Sequence, residues 1–434
     1  MTKDEGSTLS QTGLRDSPPA ATGDTARVTA PGGSSELPGT PRRRTVVRTY
    51  LARLAGPVPA RYWLLLAGLF LVLYTYWRYV GKPWTGDALY YTAMTFRYSG
   101  HGLEDAIRLT GEYFHDPNIQ RLHRGFDNPV YAPLIYPRVV YPALSVPFVL
   151  LMGGSGMWVV PLLSALFVVW GLMRLLTRLF TAHVALAVTA FFMTTIPFLE
   201  FGTGLFTESP TLALVVGLML LLPLGGRRFG AKEAVVAAIL VVAITFCRQV
   251  TPVVVVPICA AWLWTALGQR QVRRNPWNLP LAVIGPVGIA VTMFVRWWAP
   301  YDIIEWFVHI NGEPDVRTAF RHFPRIAWHL IVADTRDTFV SDRGMLLLWC
   351  VGLIACLVRP LSVHTGLLLG ALGPSIFIAT LNSQPTSMRY YLPMTPFLIL
   401  AAAGLLHLLL TRPHGAARHA GYPGEAISLA APVR

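Results

Sequence analysis

Long apolar runs separated by short polar, often basic, turns give this chain its pattern. A helix needs about 20 apolar residues to cross a bilayer, with roughly 17 as the short limit. On that measure ten spans are expected, near 62–80, 156–174, 182–199, 209–224, 233–249, 251–268, 279–297, 344–358, 362–381 and 390–410. The run from Val139 to Met152 is shorter and carries Pro142 and Pro147, so it reads as an interfacial or re-entrant helix. The expected fold class is therefore an all-α polytopic membrane protein. No period of self-similarity marks a repeat, and no matched pair of broken segments marks inverted halves.

The polar positions orient this pattern. Arg42, Arg43, Arg44, Arg48, Arg53 and Arg61 precede the first span and hold the N-terminus inside. Ten spans then keep Arg174 and Arg178, Arg227, Arg228 and Lys232, Arg270, Arg273 and Arg274, and Arg359 in inner turns, with Arg412 and Arg418 in an inner tail. Counting 139–152 as a further span would put most of these basic turns outside. The expected layout is a disordered cytoplasmic N-terminus (1–45), a transmembrane domain (46–411) and a cytoplasmic tail (412–434). Two long outer loops, 81–138 and 298–343, interrupt the domain. Both mix acids, bases and aromatics, and loops of this length in a compact domain are commonly functional.

Composition narrows the class further. Of 434 residues, 53% are hydrophobic and 13% charged, about half the charged share of a soluble domain. Mean hydropathy is +0.49. The net charge of +14 could point to nucleic acid, but the basic residues gather at the ends of apolar runs, where they report topology. Cys247, Cys259, Cys350 and Cys356 lie in or beside apolar runs without metal-ligand spacing and read as inert buried thiols. The first apolar run begins near Tyr62, too far in for a cleaved signal, and reads as a signal anchor. A multi-pass protein of the plasma membrane is expected.

A few ionisable residues break the pattern. Asp87 stands just beyond the first span, ahead of a helix running to about Phe96, and a second amphipathic helix fits Leu103 to Phe114. These two, with the proline-rich return that follows, are expected to lie on the membrane as a lid. Asp87 suits either a helix N-cap or a general base tuned by partial burial. Glu208 opens a span at a depth where an acid needs a partner, or simply favours the helix dipole. Arg248 and Arg389 sit in short outer turns where the orientation rule disfavours basic residues. They could bind the phosphate of a lipid-linked donor through bidentate hydrogen bonds, or reach for headgroups. Arg138 and Arg296 are weaker members of that set. In the second outer loop, Asp302 and Glu305 fall three apart on a helix, His309 and His322 lie nearby, and Trp306 and Phe307 could stack on a sugar. No HExxH spacing, phosphate-binding glycine loop or nucleophile elbow is present, and no cofactor or metal is expected.

Several of these features together resemble the GT-C class of integral-membrane glycosyltransferases, of the polyprenyl-phosphate-dependent mannosyl- or arabinosyltransferase kind. They are Trp84-Thr-Gly-Asp87-Ala-Leu-Tyr90, Tyr136-Pro-Arg138-Val-Val-Tyr141-Pro142, Thr207-Glu208-Ser-Pro and Arg389-Tyr390-Tyr391-Leu-Pro393. In layout the resemblance covers roughly residues 60 to 410. It implies a polyprenyl-phosphate sugar donor, an acceptor glycan, lipid or protein of the cell envelope, and a site on the outer face. It further implies Asp87 as the general base and Arg248 or Arg389 as ligands of the leaving phosphate; Arg138 is a further donor-phosphate candidate, and Glu208, Tyr90, Tyr390 and Asp302 are the substrate-binding candidates. Many members carry two adjacent acids in this loop, whereas Ala88 and Leu89 follow Asp87. The competing reading is a transporter or flippase of a lipid-linked or amphiphilic solute, which would call for midplane charges and repeat symmetry.

Overall fold

The computed structural model describes residues 58–81, 86–115, 120–128, 132–270, 272–300, 303–385 and 388–411. The N-terminal and C-terminal segments expected to be cytoplasmic lie outside the described residues. Among the described residues the protein is entirely helical. In chain order the helices are α1 Ala60–Val80, α2 Gly86–Tyr98, α3 Leu103–Phe114, α4 Gln120–Asp127, α5 Ala132–Ile135, α6 Val140–Met152, α7 Val159–Leu179, α8 Ala182–Met193 and α9 Glu208–Leu221. They continue with α10 Ala231–Cys247, α11 Pro252–Gln269, α12 Asn278–Trp298, α13 Ile303–Ile310, α14 Val316–Ser341, α15 Arg343–Val358, α16 Val363–Asn382 and α17 Thr395–Thr411.

Five helical stretches are long and apolar enough to cross a membrane: Ala60–Val80, Val140–Leu179, Asn278–Trp298, Val363–Asn382 and Arg389–Thr411. Shorter apolar helices, Ala182–Met193, Glu208–Leu221, Pro252–Gly268 and Arg343–Val358, accompany them. Their large side chains tell the same story. Leu64, Leu71 and Tyr79 on α1 are exposed, a surface that water would penalise and lipid would not. The architecture is consistent with a multi-pass membrane protein.

Burial ranks the helices. In α17 every residue from Thr395 to Leu405 is buried, so this helix is apolar all round and occupies the centre of the bundle. The helix pair α11 and α16 approaches closely because Gly366 and Gly370 lie one turn apart on the facing side. A Cβ at Gly370 would stand 2.7 Å from Ala260 Cβ, and one at Gly366 2.9 Å from Trp264 Cγ. Small residues four apart allow such backbone contact between membrane helices.

Two differences from the sequence pattern shape the site. The run 182–199 does not stay helical: α8 stops at Met193, and a π-helical turn spans Phe198–Gly202. Thr194 and Thr195 donate back to the carbonyls of Phe191 and Phe192, each at 2.7 Å, and Pro197 has no N–H to continue the ladder. The buried Asp342 holds the break, accepting the Ile196 N–H at 2.6 Å while capping α15 through the Met345 N–H at 2.9 Å. The second difference is α2. It does not lie on a surface as part of a lid, because every residue from Ala88 to Phe96 is buried. It is packed between α3 and α6, which turns an expected cover into part of the core. Beside it, α3 behaves as its amphipathic pattern requires, with Ile107 and Phe114 inward and Arg108 outward between Asp105 and Glu112.

The 139–152 run is the helix α6, ended by a turn at Gly153–Trp158. That turn is pinned to the loop helices: Trp158 Nε1 donates to Tyr113 Oη at 2.9 Å, and the Arg78 guanidinium lies 3.3 Å from the Trp158 ring centre.

Candidate functional site: a charged cluster at one end of the bundle

The helices deliver their ionisable residues to one end. Asp87 lies in the first turn of α2, and Glu208 is the first residue of α9. Arg248 follows α10 directly, its own N–H closing that helix on the Ile244 carbonyl at 2.8 Å. Arg389 opens a tight 3-10 turn, Arg389–Met394, that leads into α17. Arg138 stands between α5 and α6. Helices that end together let side chains far apart in sequence meet.

They meet through Glu208, whose side chain is fully buried. Its Oε1 takes the Arg389 Nε, and Arg248 Nη1 approaches the same oxygen at 2.5 Å as a charge contact without hydrogen-bond alignment. Thr207 Oγ1 donates to the other carboxylate oxygen at 3.2 Å. Arg389 then bridges outward, its Nη2 donating to Asp87 Oδ2 at 2.6 Å. The Asp87 side chain retains 27% exposure. Aromatic faces complete the surroundings: Arg389 lies 5.0 Å from the Phe206 ring and 5.5 Å from Phe201, and Arg248 lies 5.1 Å from Tyr390. The π-helical turn carries Phe201 into this position, and such turns recur at functional sites.

Arg138 joins by a second route. Its Nη1 donates to Tyr91 Oη at 2.7 Å and its Nε to Gln249 Oε1 at 3.1 Å. Tyr91 lies one turn beyond Asp87 on the same face of α2. Burial pushes the Asp87 carboxyl up, but Arg389 and Arg138 outweigh it and hold the group below the usual carboxylate range. Burial raises the Tyr91 phenol, which stays protonated. Burial would weaken Arg138 as a cation, but Tyr91 and Asp87 keep it firmly charged. Three guanidinium groups face two carboxylates, so the cluster carries one positive charge in excess.

A cavity of about 250 Å³ opens beside the cluster. Its lining combines Arg138, Arg248, Arg296 and Tyr390 with apolar residues such as Phe377 and Leu381. Such a space suits a molecule with a phosphate at one end and a hydrocarbon at the other. Asp87 does not line it. The carboxylate is linked to Arg248 through Arg389 and Glu208, and it acts on Arg138 through its charge.

Of the residues singled out by sequence, Asp87, Glu208, Arg248, Arg389, Arg138 and Tyr390 converge. Tyr90 packs edge-on to Phe126 at 5.3 Å, over Gly125. Asp302 lies outside the described residues. Phe307 is fully buried among Phe320, Phe323 and Ala319, so it is not available to stack on a sugar. His322 pairs with Glu313 at 2.8 Å, away from the cluster. Sequence reasoning gave no role to Tyr91, Gln249 or Thr207. The helical period places Tyr91 four residues from Asp87, and the other two adjoin Arg248 and Glu208 in the chain. Compared with protein-family models, curated proteins and solved structures, the chain matches none.

Proposed function

We propose that the protein is an integral-membrane glycosyltransferase of GT-C-like layout, with about ten spans and both termini cytoplasmic. It moves a sugar from a polyprenyl-phosphate donor to a cell-envelope acceptor on the outer face. The observation that carries this reading is the Asp87–Arg389–Glu208–Arg248 chain beside a cavity lined by arginines and apolar side chains together.

In the reaction, the acceptor hydroxyl attacks the anomeric carbon and its proton passes to Asp87. The bond from that carbon to the donor phosphate oxygen breaks, and the electron pair leaves with the polyprenyl phosphate. Arg248 and Arg138, on the cavity wall, neutralise the charge that develops there. Their planar forks suit phosphate oxygens. Asp87 is ionised but weakly basic while Arg389 holds it. A phosphate bound by Arg248 draws that guanidinium from Glu208, which then holds Arg389 more strongly and loosens it from Asp87, freeing Asp87 to accept the proton. Tyr390 offers a ring for the sugar, with Glu208 fixing both arginines behind it.

The test is transfer from radiolabelled polyprenyl-phosphate sugars by the purified protein in proteoliposomes, for wild type and Asp87→Asn. Loss of a general base costs roughly 10²–10⁴-fold, so transfer should fall by that order while the variant still inserts and unfolds cooperatively. Full transfer by Asp87→Asn would remove Asp87 from the chemistry. Donor crossing the bilayer without any transfer would replace the enzyme with a transporter.

A further inference from the structure

The opposite end of the bundle holds a second collection of cations, and these are poorly matched by acids. Helix α9 runs from Glu208 to Leu221, so the residues after it lie about 20 Å from the charged cluster at 1.5 Å per residue. There an open cavity of about 750 Å³ is lined by Arg227, Arg228, Arg359, Thr265, Ser362 and the Gly225–Gly226 turn, among others.

Cation crowding is the first observation. Arg178 Nη1 donates to the Leu220 carbonyl at 3.1 Å, and Arg227 Nη1 donates to the same oxygen. Arg178 Nε and Nη2 are buried without a hydrogen-bond partner. Glu233 reaches Arg227 at 3.3 Å, while Arg228 and Arg359 make no ion pair among the described residues and stand exposed at the cavity rim. The second observation is Thr265. It is 3% exposed and lines the cavity, and its Oγ1 has no partner. A membrane-helix threonine usually satisfies its hydroxyl on the carbonyl one turn back, as Thr245 and Thr380 do in this protein. A buried hydroxyl without a bond is costly. The third observation is shape. Gly225 and Gly226 take positive φ of 61° and 77°, and a Cβ at Gly225 would lie 2.6 Å from Leu179 Cδ2. The turn takes a left-handed backbone that favours glycine, and it forms part of the cavity lining.

We infer that this cavity is a binding site for a phosphate group, held by Arg227, Arg228 and Arg359 with Thr265 Oγ1 donating from the wall. Guanidinium groups converging on one space match phosphate geometry, and a hydroxyl donor supplies direction. The group is that of an anionic phospholipid headgroup or of a soluble phosphate; both present the same oxygens. The site is independent of the Asp87 cluster and does not require a glycosyltransferase.

The experiment uses the full chain in two settings. In neutral detergent, inorganic phosphate is titrated against chloride at matched ionic strength, following the thermal unfolding midpoint. In nanodiscs of phosphatidylcholine, phosphatidylglycerol is added and its retention is read by native mass spectrometry. A saturable rise with phosphate alone identifies a soluble ligand. Retention of phosphatidylglycerol without a phosphate effect identifies the headgroup. In either case Arg228→Gln/Arg359→Gln should weaken binding about tenfold or more, since each hydrogen bond to a charged group is worth roughly that factor. If the double variant does not fold, Thr265→Val, which keeps the shape of the wall, should also bind more weakly. No response in either setting, or undiminished binding by the folded variants, would overturn the site.

Discussion

The two ends of this bundle both crowd arginines, yet they treat them differently. At the cluster end, Arg248 and Arg389 converge on the fully buried Glu208, and Arg389 also holds Asp87. At the far end, Arg178 and Arg227 share one carbonyl, and the acid that reaches Arg227, Glu233, is part-exposed. Burial explains the contrast. A guanidinium removed from solvent needs a counter-charge, because the desolvation of an unpaired ion exceeds what packing returns. Cations at an open cavity need none, since water and passing anions serve; Arg178, whose Nε and Nη2 are buried without a partner, departs from this rule. The cluster end is thus preorganised and nearly self-neutral, whereas the far end keeps cationic surface ready for a ligand.

The largest effect should come from breaking the buried end. Glu208→Gln leaves two guanidinium groups facing an amide, and removing one partner of a buried ion pair costs about 3–5 kcal/mol. Purified in detergent, this variant should lose most of its cooperative thermal transition or elute as aggregate. Glu233→Gln should move the unfolding midpoint far less, since Arg227 stays partly solvated. Equal effects from the two substitutions would erase the distinction between the ends.

Much of that buried end was legible in the sequence, and the reasons are local. Arg248 and Arg389 stood out because basic residues in turns of that side break the topological pattern, and Glu208 because an acid at the head of an apolar run needs a partner. What the pattern could not give was connectivity. Nothing in the spacing of residues 87, 208 and 389 says that one guanidinium bridges both acids; that follows from how α2, α9 and the Arg389–Met394 turn end together. The lid expectation fails because α2 carries Tyr, Thr and Ala, which suit an interface and a core equally; its burial comes from packing against both α3 and α6. Likewise the end of α8 depends on Asp342, nearly 150 residues away, accepting the Ile196 N–H. The aromatic character of Phe307 suggested a sugar platform, but its fate was set by Phe320 and Phe323 across the loop.

A smaller change sharpens the role of Arg138. Tyr91→Phe removes the hydroxyl that accepts from Arg138 Nη1 at 2.7 Å and keeps the ring that packs on Tyr141. A lost hydrogen bond to a charged group is worth about 1.5–3 kcal/mol, though Gln249 still holds Arg138 Nε. Transfer measured as kcat/KM should drop about tenfold, mostly through KM, because a loosened Arg138 binds donor phosphate less well. A fall confined to kcat would instead place Tyr91 beside the reacting atoms.

The smallest expected effect is a flat pH response, and it tests how the cluster works. Asp87 is held below the ordinary carboxylate value of about 3.9. A depressed folded-state value means that the stabilisation it brings is complete above the ordinary value and is lost only as pH falls through the lower folded one. From pH 7 to pH 5, then, the difference in unfolding midpoint between wild type and Asp87→Asn should stay constant. Catalysis need not follow the same curve. The acid limb of kcat/KM reports the free enzyme and should lie below about pH 4, whereas that of kcat reports the loaded enzyme. If donor binding at Arg248 loosens Arg389 from Asp87, the largest lowering influence weakens and Asp87 titrates higher, so the kcat limb should move upward from the kcat/KM limb. Coincident limbs would mean that Arg389 never leaves Asp87, and the competition between phosphate and carboxylate for one guanidinium would then have no part in turnover.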